Sequence, residues 1–214
     1  MSKDKLKDIR REYGDRVLKR EDLHGDPLKL FEKWFSDALK AANPDPTAMS
    51  LATVDAEGHP DVRMVLLKGI AQGKLVFYTN YQSMKAQQLE GNPNVALNFY
   101  WPELARQIRI RGSVEKISPT ESDAYFASRP VKAQLSAILS EQSQVISDAD
   151  NLENKLNALI EEHGQETVIR PRHWGGYRVI PREYEFWQGR DNRLHDRYRY
   201  LKVSGGWQIQ RLAP

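Results

Sequence analysis

The sequence predicts a mainly β protein whose antiparallel strands form a closed or nearly closed β-barrel with helical additions. Short apolar runs alternate with polar residues, which is typical of half-buried strands. Most neighbouring runs are separated by only a few residues rich in turn formers. Such separations favour hairpins, because parallel strands need crossover connections of about a dozen residues or more. Stretches of helical periodicity interrupt the strands and supply the helical additions.

The first predicted helix begins at Pro27, because Asp26 is a favourable N-cap and proline suits the first helical position. Apolar residues then recur at helical spacing, at Leu28, Phe31, Trp34, Phe35, Leu39 and Ala42. We interpret this stripe as core packing and assign it no chemistry. The two prolines of segment 43–46 end the helix.

The remaining elements follow from alternation and turn signals. Strands are predicted at 49–54, 62–68, 75–79, 95–101, 108–117, 176–180, 184–187, 194–203 and 207–212. Helices are predicted at 83–90, 118–129, 131–139 and 148–163. The helix at 118–129 opens with a capping box formed by Ser118 and Glu121.

Composition limits the class of protein. The 214 residues suffice for one large or two small domains, and 40% hydrophobic and 29% charged residues are ordinary for a soluble globular chain. The absence of cysteine excludes disulfides, thiolate nucleophiles and cysteine-ligated metals, and fits a cytoplasmic protein. We expect no membrane span and no signal peptide, because no apolar stretch is long enough and the first residues are charged.

Charge and histidine spacing narrow the possible ligands. A net charge of +3 is too small to indicate nucleic acid alone, but it suits small anionic ligands. The five histidines lack the spacing of metal ligands, so we predict no metal site.

The segment from Glu185 to Tyr200 is the strongest candidate for a functional site. If it continues as a strand after the turn at Gly189, one face carries Arg193, His195, Arg197 and Arg199. Such a row is costly to bury unless it meets an anion. For arginines alone, a solvated basic outer face of the sheet is the favoured interpretation. Trp187 before the turn and the imidazole within the row favour a site. The flanking guanidiniums should keep that imidazole neutral, and phosphorylated ligands are natural partners of such a row.

Two other regions collect phosphate donors. The strand Arg63–Lys68 is followed by Tyr78, Thr79, Ser83 and Lys85, and Gln142 and Ser143 lie between two predicted helices. Considered alone, the strand Arg63–Lys68 is more simply interpreted as a barrel strand with ordinary charged ends. Helix capping and loop hydrogen bonding explain Gln142 and Ser143 about as well as ligand contact does.

These motifs resemble those of the pyridoxamine 5′-phosphate oxidase family. The resemblance extends from Arg10 to Pro214, and its motifs occur in the family's order. They are Arg63–Lys68, Val76–Asn80, Tyr125–Pro130, Gln142–Ser143, His173–Tyr177, Glu185–Gly189, Arg193–Arg197 and Arg211–Pro214.

The resemblance implies a homodimer of antiparallel FMN-binding split β-barrels, with FMN at the subunit interface. Residues 1–25 would form an N-terminal lid segment, and residues 26–214 would form the barrel domain with a helical insertion at about 118–163. The family oxidises pyridoxamine 5′-phosphate or pyridoxine 5′-phosphate to pyridoxal 5′-phosphate, a reaction of vitamin B6 metabolism. Oxygen accepts the electrons and hydrogen peroxide is released.

The resemblance also implies residue roles. FMN contacts would come from Arg63, Met64, Val65, Leu66, Lys68, Tyr78, Thr79, Lys85, Gln107, Gln142, Ser143, Trp187 and Arg197. Lys68, Tyr125 and Arg129 would contact the phosphate of the substrate. Arg193 and His195 would be the catalytic pair over its pyridine ring. Arg10 and Tyr13 would contact the substrate from the lid. Met84 and Ala133 stand where the family usually has Arg and Ser, which affects the expected affinities more than the reaction.

Three other functions remain open from the sequence. One is a flavin reductase or another FMN-binding split-barrel enzyme, which Tyr125, Arg129, Arg193 and His195 argue against. Another is a non-catalytic carrier of pyridoxal phosphate or flavin, which oxygen uptake would distinguish. The most distant is an RNA-binding barrel, which would bind RNA in a salt-dependent manner.

Overall fold

A computed structural model describes residue 8 and residues 11–147, 151–163 and 167–214. The helices are α1 (Pro27–Lys40), α2 (Met84–Gly91), α3 (Pro119–Ala127), α4 (Val131–Leu139) and α5 (Leu152–His163). The strands are β1 (Ala48–Val54), β2 (Pro60–Leu66), β3 (Gly69–Ala71), β4 (Lys74–Asn80), β5 (Asn94–Trp101), β6 (Arg106–Lys116), β7 (Trp174–Gln188), β8 (Asp196–Val203) and β9 (Gly206–Leu212). Short 3-10 turns cover Arg20–Asp22, Pro102–Leu104 and Asp191–Arg193. None of the described helices is both long and apolar enough to cross a membrane.

Strand pairing follows the order β2-β1-β5-β6-β7-β4-β3, and β8 pairs with both β7 and β9. The pairs β3–β4, β4–β7, β7–β8 and β8–β9 are antiparallel. The chain divides into two compact units. The first comprises the described residues of Met1–Ser50 together with Ala96–Arg111 and Pro181–Pro214, and the second comprises Leu51–Val95 with the described residues of Gly112–Ile180.

In the first unit, α1 begins as its sequence predicts. The Asp26 carboxylate accepts a hydrogen bond from the Leu28 N–H at 3.0 Å, with proline at the first helical position. The helix buries Leu30, Phe31, Trp34 and Ala38, and the Trp34 ring meets Phe186 edge-on at 5.3 Å. Leu39 is 58% exposed, contrary to the predicted stripe. The buried line runs through positions 30, 34 and 38, and position 39 lies about 100° away from it.

In the second unit, β4 pairs on one side with β3 and on the other with residues 174–179 of β7. Tyr78 lies opposite Gly176 in this register. A Cβ at Gly176 would lie 2.9 Å from the Tyr78 ring and 2.5 Å from Ile117, so glycine is what permits this packing. Phe126, Leu135, Val168 and Trp174 form a buried cluster, against which α5 packs through Leu156, Leu159 and Ile160.

Strands β7 and β3 both differ from the prediction. The pair predicted at 176–180 and 184–187 is the single strand β7, although it contains Pro181. Pairing with β4 ends at Val179 and pairing with β8 begins at Glu183, so the missing proline N–H falls between the two ladders. Strand β3 was not predicted, since three residues are too few for an alternating pattern. Its hairpin turns at Gln72 and Gly73, which both have positive φ.

The strand predicted from Leu194 begins at Asp196 instead. Arg193 lies in the 3-10 turn and His195 lies before the strand, so the predicted row of four cationic positions on one strand face is wrong. Asn192 and Arg193 both have positive φ, which ends the extended geometry there. Within β8 the predicted alternation holds, with Tyr198 and Tyr200 buried between partly exposed Arg197 and Arg199.

The remaining helices match their predicted positions closely. The capping box of Ser118 and Glu121 opens α3 with both of its hydrogen bonds formed. Helix α5 covers the predicted region from Leu152 onward, and residues 148–150 of that prediction lie outside the described residues.

Candidate functional site

The second unit contains a cavity of about 550 Å³. Ten of its lining residues were predicted as site residues from the sequence, namely Met64, Val65, Leu66, Lys68, Tyr78, Thr79, Lys85, Tyr125, Arg129 and Gln142. Six others were not predicted, namely Asn80, Pro130, Ser136, Ala137, Ser140 and Trp174. The fold therefore gathers residues from distant parts of the sequence around one space.

Lys85 is the most constrained cation of this wall. It lies in the first turn of α2 and is only 8% exposed. Its Nζ donates to Gln142 Oε1 at 2.9 Å and to Thr79 Oγ1 and Ser83 Oγ at 3.3 Å each. Burial, together with the nearby Arg63 guanidinium, lowers the pKa of Lys85 to about 8. An anion in the cavity would be a stronger partner for this ammonium than the neutral oxygens that it now contacts.

Arg63 does not line the cavity. Its guanidinium donates to the Leu51 carbonyl at 3.1 Å, to Thr53 Oγ1, to the Asp61 carboxylate and to Gln88 Oε1. These four groups hold the guanidinium away from the cavity, so Arg63 influences the wall through its charge beside Lys85.

Stacked aromatic rings form another part of the wall. The rings of Tyr78 and Tyr125 stack with centroids 3.8 Å apart, and Trp174 stacks on Tyr78 at 5.3 Å. Burial raises the pKa of both tyrosines, so both carry neutral hydroxyls at neutral pH. Tyr78 was expected as a site residue, whereas Trp174 belongs to the motif His173–Tyr177 but was assigned no role in the site.

Arg129 follows α3, which ends at Ala127, and its guanidinium lies 4.7 Å from the centre of the Trp174 ring. Its Nη1 is buried without a hydrogen-bond partner among the described residues. Burial lowers the pKa of Arg129, which nevertheless stays far above neutrality. A buried guanidinium nitrogen without a hydrogen-bond partner is costly, and an anionic ligand would offset that cost.

The first unit contains a separate cluster around His195. The Tyr13 ring meets Trp187 and His195 edge-on, each at 5.5 Å, and the Trp187 and His195 rings lie 4.6 Å apart. His195 Nδ1 is 3.1 Å from the Arg190 backbone N–H, which makes this nitrogen an acceptor. Burial, then Arg193 and Arg197, lower the pKa of His195. The imidazole is thus neutral at physiological pH with its proton on Nε2, as the flanking guanidiniums predicted.

Two buried carboxylates, which sequence reasoning missed, hold the arginines of this cluster. Glu185 is 5% exposed and accepts from Arg197 at 2.7 and 2.9 Å and from Arg109 at 3.1 Å. Asp196 is 2% exposed, accepts the Leu18 N–H at 3.1 Å, and lies 3.5 Å from Arg190. The sequence places both carboxylates on the inward-facing side of alternating strands. This position was the signal that could have identified them, because a buried carboxylate requires a partner.

Two predicted site residues have backbone conformations that few side chains adopt. Ser143 has φ of 73° and Arg193 has φ of 59°. The Arg193 side chain is exposed and makes no hydrogen bond or ion pair among the described residues. Left-handed residues other than glycine are uncommon and cluster at functional sites.

The other predicted residues fall outside the cavity wall. Gln107, Trp187, Arg193, His195 and Arg197 belong to the first unit, and Ser143 is exposed in the second unit. Arg10 lies outside the described residues, and Tyr13 belongs to the His195 cluster.

Comparison with known families identifies the chain. Residues 35–161 match the family model for pyridoxamine 5′-phosphate oxidase, and residues 174–214 match that for the pyridoxine 5′-phosphate oxidase C-terminal dimerisation region. The chain belongs to the pyridoxamine 5′-phosphate oxidase family. Its family resemblance, inferred from motifs in the sequence, is thereby confirmed.

Individual members of this family are similar over nearly the whole chain. A pyridoxine/pyridoxamine 5′-phosphate oxidase of Legionella pneumophila (strain Lens) is 58% identical over 98% of this chain and 97% of its own. The protein of the same name from Chromobacterium violaceum is 51% identical over 98% of both chains.

Solved structures confirm the fold class. PhzG from Burkholderia lata 383, in complex with tetrahydrophenazine-1-carboxylic acid, superposes with a TM-score of 0.88 at 28% identity, covering 94% of this chain and all of PhzG. A pyridoxamine 5′-phosphate oxidase-related, FMN binding protein from Nostoc punctiforme gives 0.74 at 17% identity, covering 90% of this chain and all of its own. The predicted antiparallel split β-barrel with helical additions is therefore confirmed.

Proposed function

We propose that this chain is an FMN-dependent oxidase that converts pyridoxamine 5′-phosphate or pyridoxine 5′-phosphate to pyridoxal 5′-phosphate, with oxygen as acceptor and hydrogen peroxide as product. One observation carries the proposal within the established family. A single cavity collects Lys68, Lys85 and Arg129 beside stacked aromatic rings. Cations beside flat apolar surfaces suit ligands that combine a phosphate with an aromatic ring.

The residues around Lys85 fit the phosphate of FMN. Lys85, Thr79 and Gln142 already contact one another, and their donors could turn to phosphate oxygens. Met64, Val65 and Leu66 line the same cavity and would border the isoalloxazine ring. FMN should be favoured over FAD, because a phosphate enclosed by these donors leaves little room for a further nucleotide.

The residues around Arg129 fit the phosphate of the substrate. Arg129 offers a guanidinium nitrogen that has no partner among the described residues, and Tyr125 offers a neutral hydroxyl. Lys68, exposed on the same wall, supplies a further charge that can serve either phosphate. We propose these three residues as the substrate-phosphate set.

Arg193 and His195 are proposed to act on the pyridine ring. Neutral His195, with its proton on Nε2, can donate one hydrogen bond to a ring substituent. The exposed Arg193 guanidinium can lie over the ring and stabilise negative charge that develops in the transition state. When bound, FMN would accept the hydride, and the chain's residues would position the substrate carbon and exclude water. Tyr13, packed on His195, would close the site together with Arg10.

A homodimer is proposed to complete the site, with FMN at the subunit interface. The match of residues 174–214 to a dimerisation region supports a dimer. The sequence predicts that residues around Arg63 and the later set Gln142, Ser143, Trp187 and Arg197 come from different subunits. Gln142 differs, because it bonds to Lys85 of its own chain at 2.9 Å. We therefore keep Ser143, Trp187 and Arg197 as the candidates from the partner subunit.

The remaining assignments are proposed on the same basis. Residues 1–25 would form a lid segment on the domain 26–214, whose helical insertion at about 118–163 contains Tyr125 and Arg129. A cytoplasmic location suits a cysteine-free enzyme that acts on phosphorylated metabolites.

The deciding experiment is a peroxide assay on the purified full-length chain. We expect a yellow protein whose absorption is that of FMN, and peroxide released on addition of pyridoxamine 5′-phosphate. A colourless chain that cannot be reconstituted with FMN would overturn the cofactor assignment. A yellow chain that reduces flavin with a nicotinamide donor but ignores both pyridine substrates would instead support a flavin reductase.

A further inference from the structure

Lys85 differs from the other lysines of the described chain in its surroundings. It is 8% exposed, yet it lines the 550 Å³ cavity. Its three hydrogen-bond partners among the described residues are the neutral oxygens of Thr79, Ser83 and Gln142. The charges that act on its pKa are those of Arg63 and Asp61, and Asp61 is itself bound by Arg63 and Gln88. Within the described part of the chain, no carboxylate holds this amine in its protonated form by direct contact.

The same cavity offers a place for a phosphate. Lys68 and Arg129 lie on its wall, and Arg129 has a buried nitrogen without a partner in the described ranges. The stacked rings of Tyr78 and Tyr125 offer a flat surface for an aromatic ring. A phosphorylated aromatic aldehyde would therefore find an anchor for its phosphate, a surface for its ring, and a buried amine within one space.

We propose that, in the absence of flavin, Lys85 is a site of covalent imine formation with phosphorylated aromatic aldehydes, of which pyridoxal 5′-phosphate is the relevant one. This rests on the proposed function, since that aldehyde would be the enzyme's own product. Because Lys85 is also the proposed contact for the FMN phosphate, imine formation and cofactor loading exclude each other. The product would thus block cofactor loading of the flavin-free chain.

The step balances without any added oxidant or reductant. The lone pair of Lys85 Nζ attacks the aldehyde carbon, and the carbonyl electrons move to oxygen to give a carbinolamine. The oxygen then leaves as water with the two protons of the amine, and a C=N bond remains. Only the unprotonated amine reacts. At pH 7.5 a pKa of about 8 gives roughly two orders of magnitude more free amine than the ordinary value of 10.5.

The test is chemical trapping on the full-length chain freed of flavin. The chain is incubated with a small excess of pyridoxal 5′-phosphate, reduced with borohydride, and analysed by intact mass and peptide mapping. We expect one phosphopyridoxyl group per chain, located on Lys85. Saturating FMN should lower labelling at least tenfold, and pyridoxal without its phosphate should label at least tenfold more slowly.

Two variants make the test specific. Lys85→Arg keeps the positive charge but removes the reactive amine, and should lose the label. Lys132→Arg changes an exposed lysine of α4 and should label as the original chain does. Circular dichroism checks that both variants fold. Label spread evenly over exposed lysines, or unchanged labelling of Lys85→Arg, would overturn the proposal.

The outcomes also separate this inference from the proposed function. If FMN does not prevent labelling at Lys85, the imine site is supported but Lys85 does not belong to the cofactor site. If Lys85 is labelled in a chain that has no oxidase activity, the proposed reaction is contradicted but the reactive amine is supported. If the chain binds FMN and releases peroxide but is not labelled, only the imine site is contradicted.

Discussion

Arg193 is an exposed arginine with a left-handed backbone and no hydrogen bond or ion pair among the described residues. If it stabilises charge in the transition state, Arg193→Ala should lower kcat/KM by about two powers of ten while FMN stays bound. Arg199→Ala is the matched control, because its guanidinium is bound by Gln210 at 2.6 Å and has no proposed role. Steady-state kinetics and flavin content measure both effects. Full turnover in Arg193→Ala would remove this residue from the active site.

His195 titrates with a pKa below its ordinary value of 6.5, because burial and the charges of Arg193 and Arg197 disfavour the imidazolium. In the unfolded chain the same group titrates near the ordinary value. Between these two values the unfolded chain binds more protons, so this histidine makes the folded state more stable as pH rises through that window. Arg193→Ala should therefore raise the titration midpoint of the His195 Cε1 proton in NMR, and Arg199→Ala should leave it where it is. A midpoint at or above 6.5 in the original chain would contradict the effect of burial and of the two arginines on this imidazole.

Lys85 offers a third prediction at this scale. Lys85→Ala should weaken FMN binding by roughly ten- to one-hundredfold, since a charge-assisted hydrogen bond contributes about 1.5–3 kcal/mol. Excess FMN should restore part of the activity, because the substrate-phosphate set around Arg129 is untouched. Lys132→Ala serves as control. Titration of flavin fluorescence measures the affinity, and an unchanged dissociation constant for Lys85→Ala would place the FMN phosphate elsewhere.

At the scale of elements, the turn that follows β7 packs against the segment that contains Tyr13. A Cβ on Gly189 would lie 2.9 Å from atoms of both the Tyr13 and Trp187 rings. The Gly14 N–H donates to Asp191 of the following 3-10 turn at 2.7 Å, so the same turn also binds the segment through its backbone. The position of the N-terminal segment thus depends on a glycine far away in the sequence.

Gly189→Ala should displace Tyr13 from Trp187 and His195, since the ring has to move by several tenths of an ångström or more. We expect faster tryptic cleavage at Arg11 and Arg16 and a raised KM. Gly91→Ala is the matched control, because a Cβ there meets no atom within 4 Å. Cleavage of Gly189→Ala at the original rate would show that this contact does not hold the segment.

At the scale of the whole molecule, we expect an obligate homodimer with one FMN per subunit. The match of residues 174–214 to a dimerisation region supports the dimer, and the proposed partner contacts from Trp187 and Arg197 require it. Sedimentation followed at both protein and flavin wavelengths measures mass and cofactor together. A folded monomer that sediments with bound flavin would contradict a shared cofactor site.

The sequence by itself determined those features whose causes are local. Asp26 and Pro27 start α1, and Ser118 with Glu121 starts α3, because caps act within one turn of helix. Hairpins follow from turn residues, and the order of motifs was enough to indicate the family and most of the cavity wall. Caps and turns act within windows of a few residues, and the family and its site residues follow from the resemblance of motifs along the chain, so neither needs tertiary information.

Only the tertiary structure decided which partners meet. Trp174 lies in the cavity wall because β7 pairs with β4, and Arg63 is held by Thr53, Asp61 and Gln88 rather than facing the cavity. Glu185 neutralises Arg197 across the β7–β8 pair, which a list of charges cannot reveal. Hydrogen bonds and burial depend on distances between residues far apart in sequence. The same arginine is a free donor or a paired one according to what the fold places beside it.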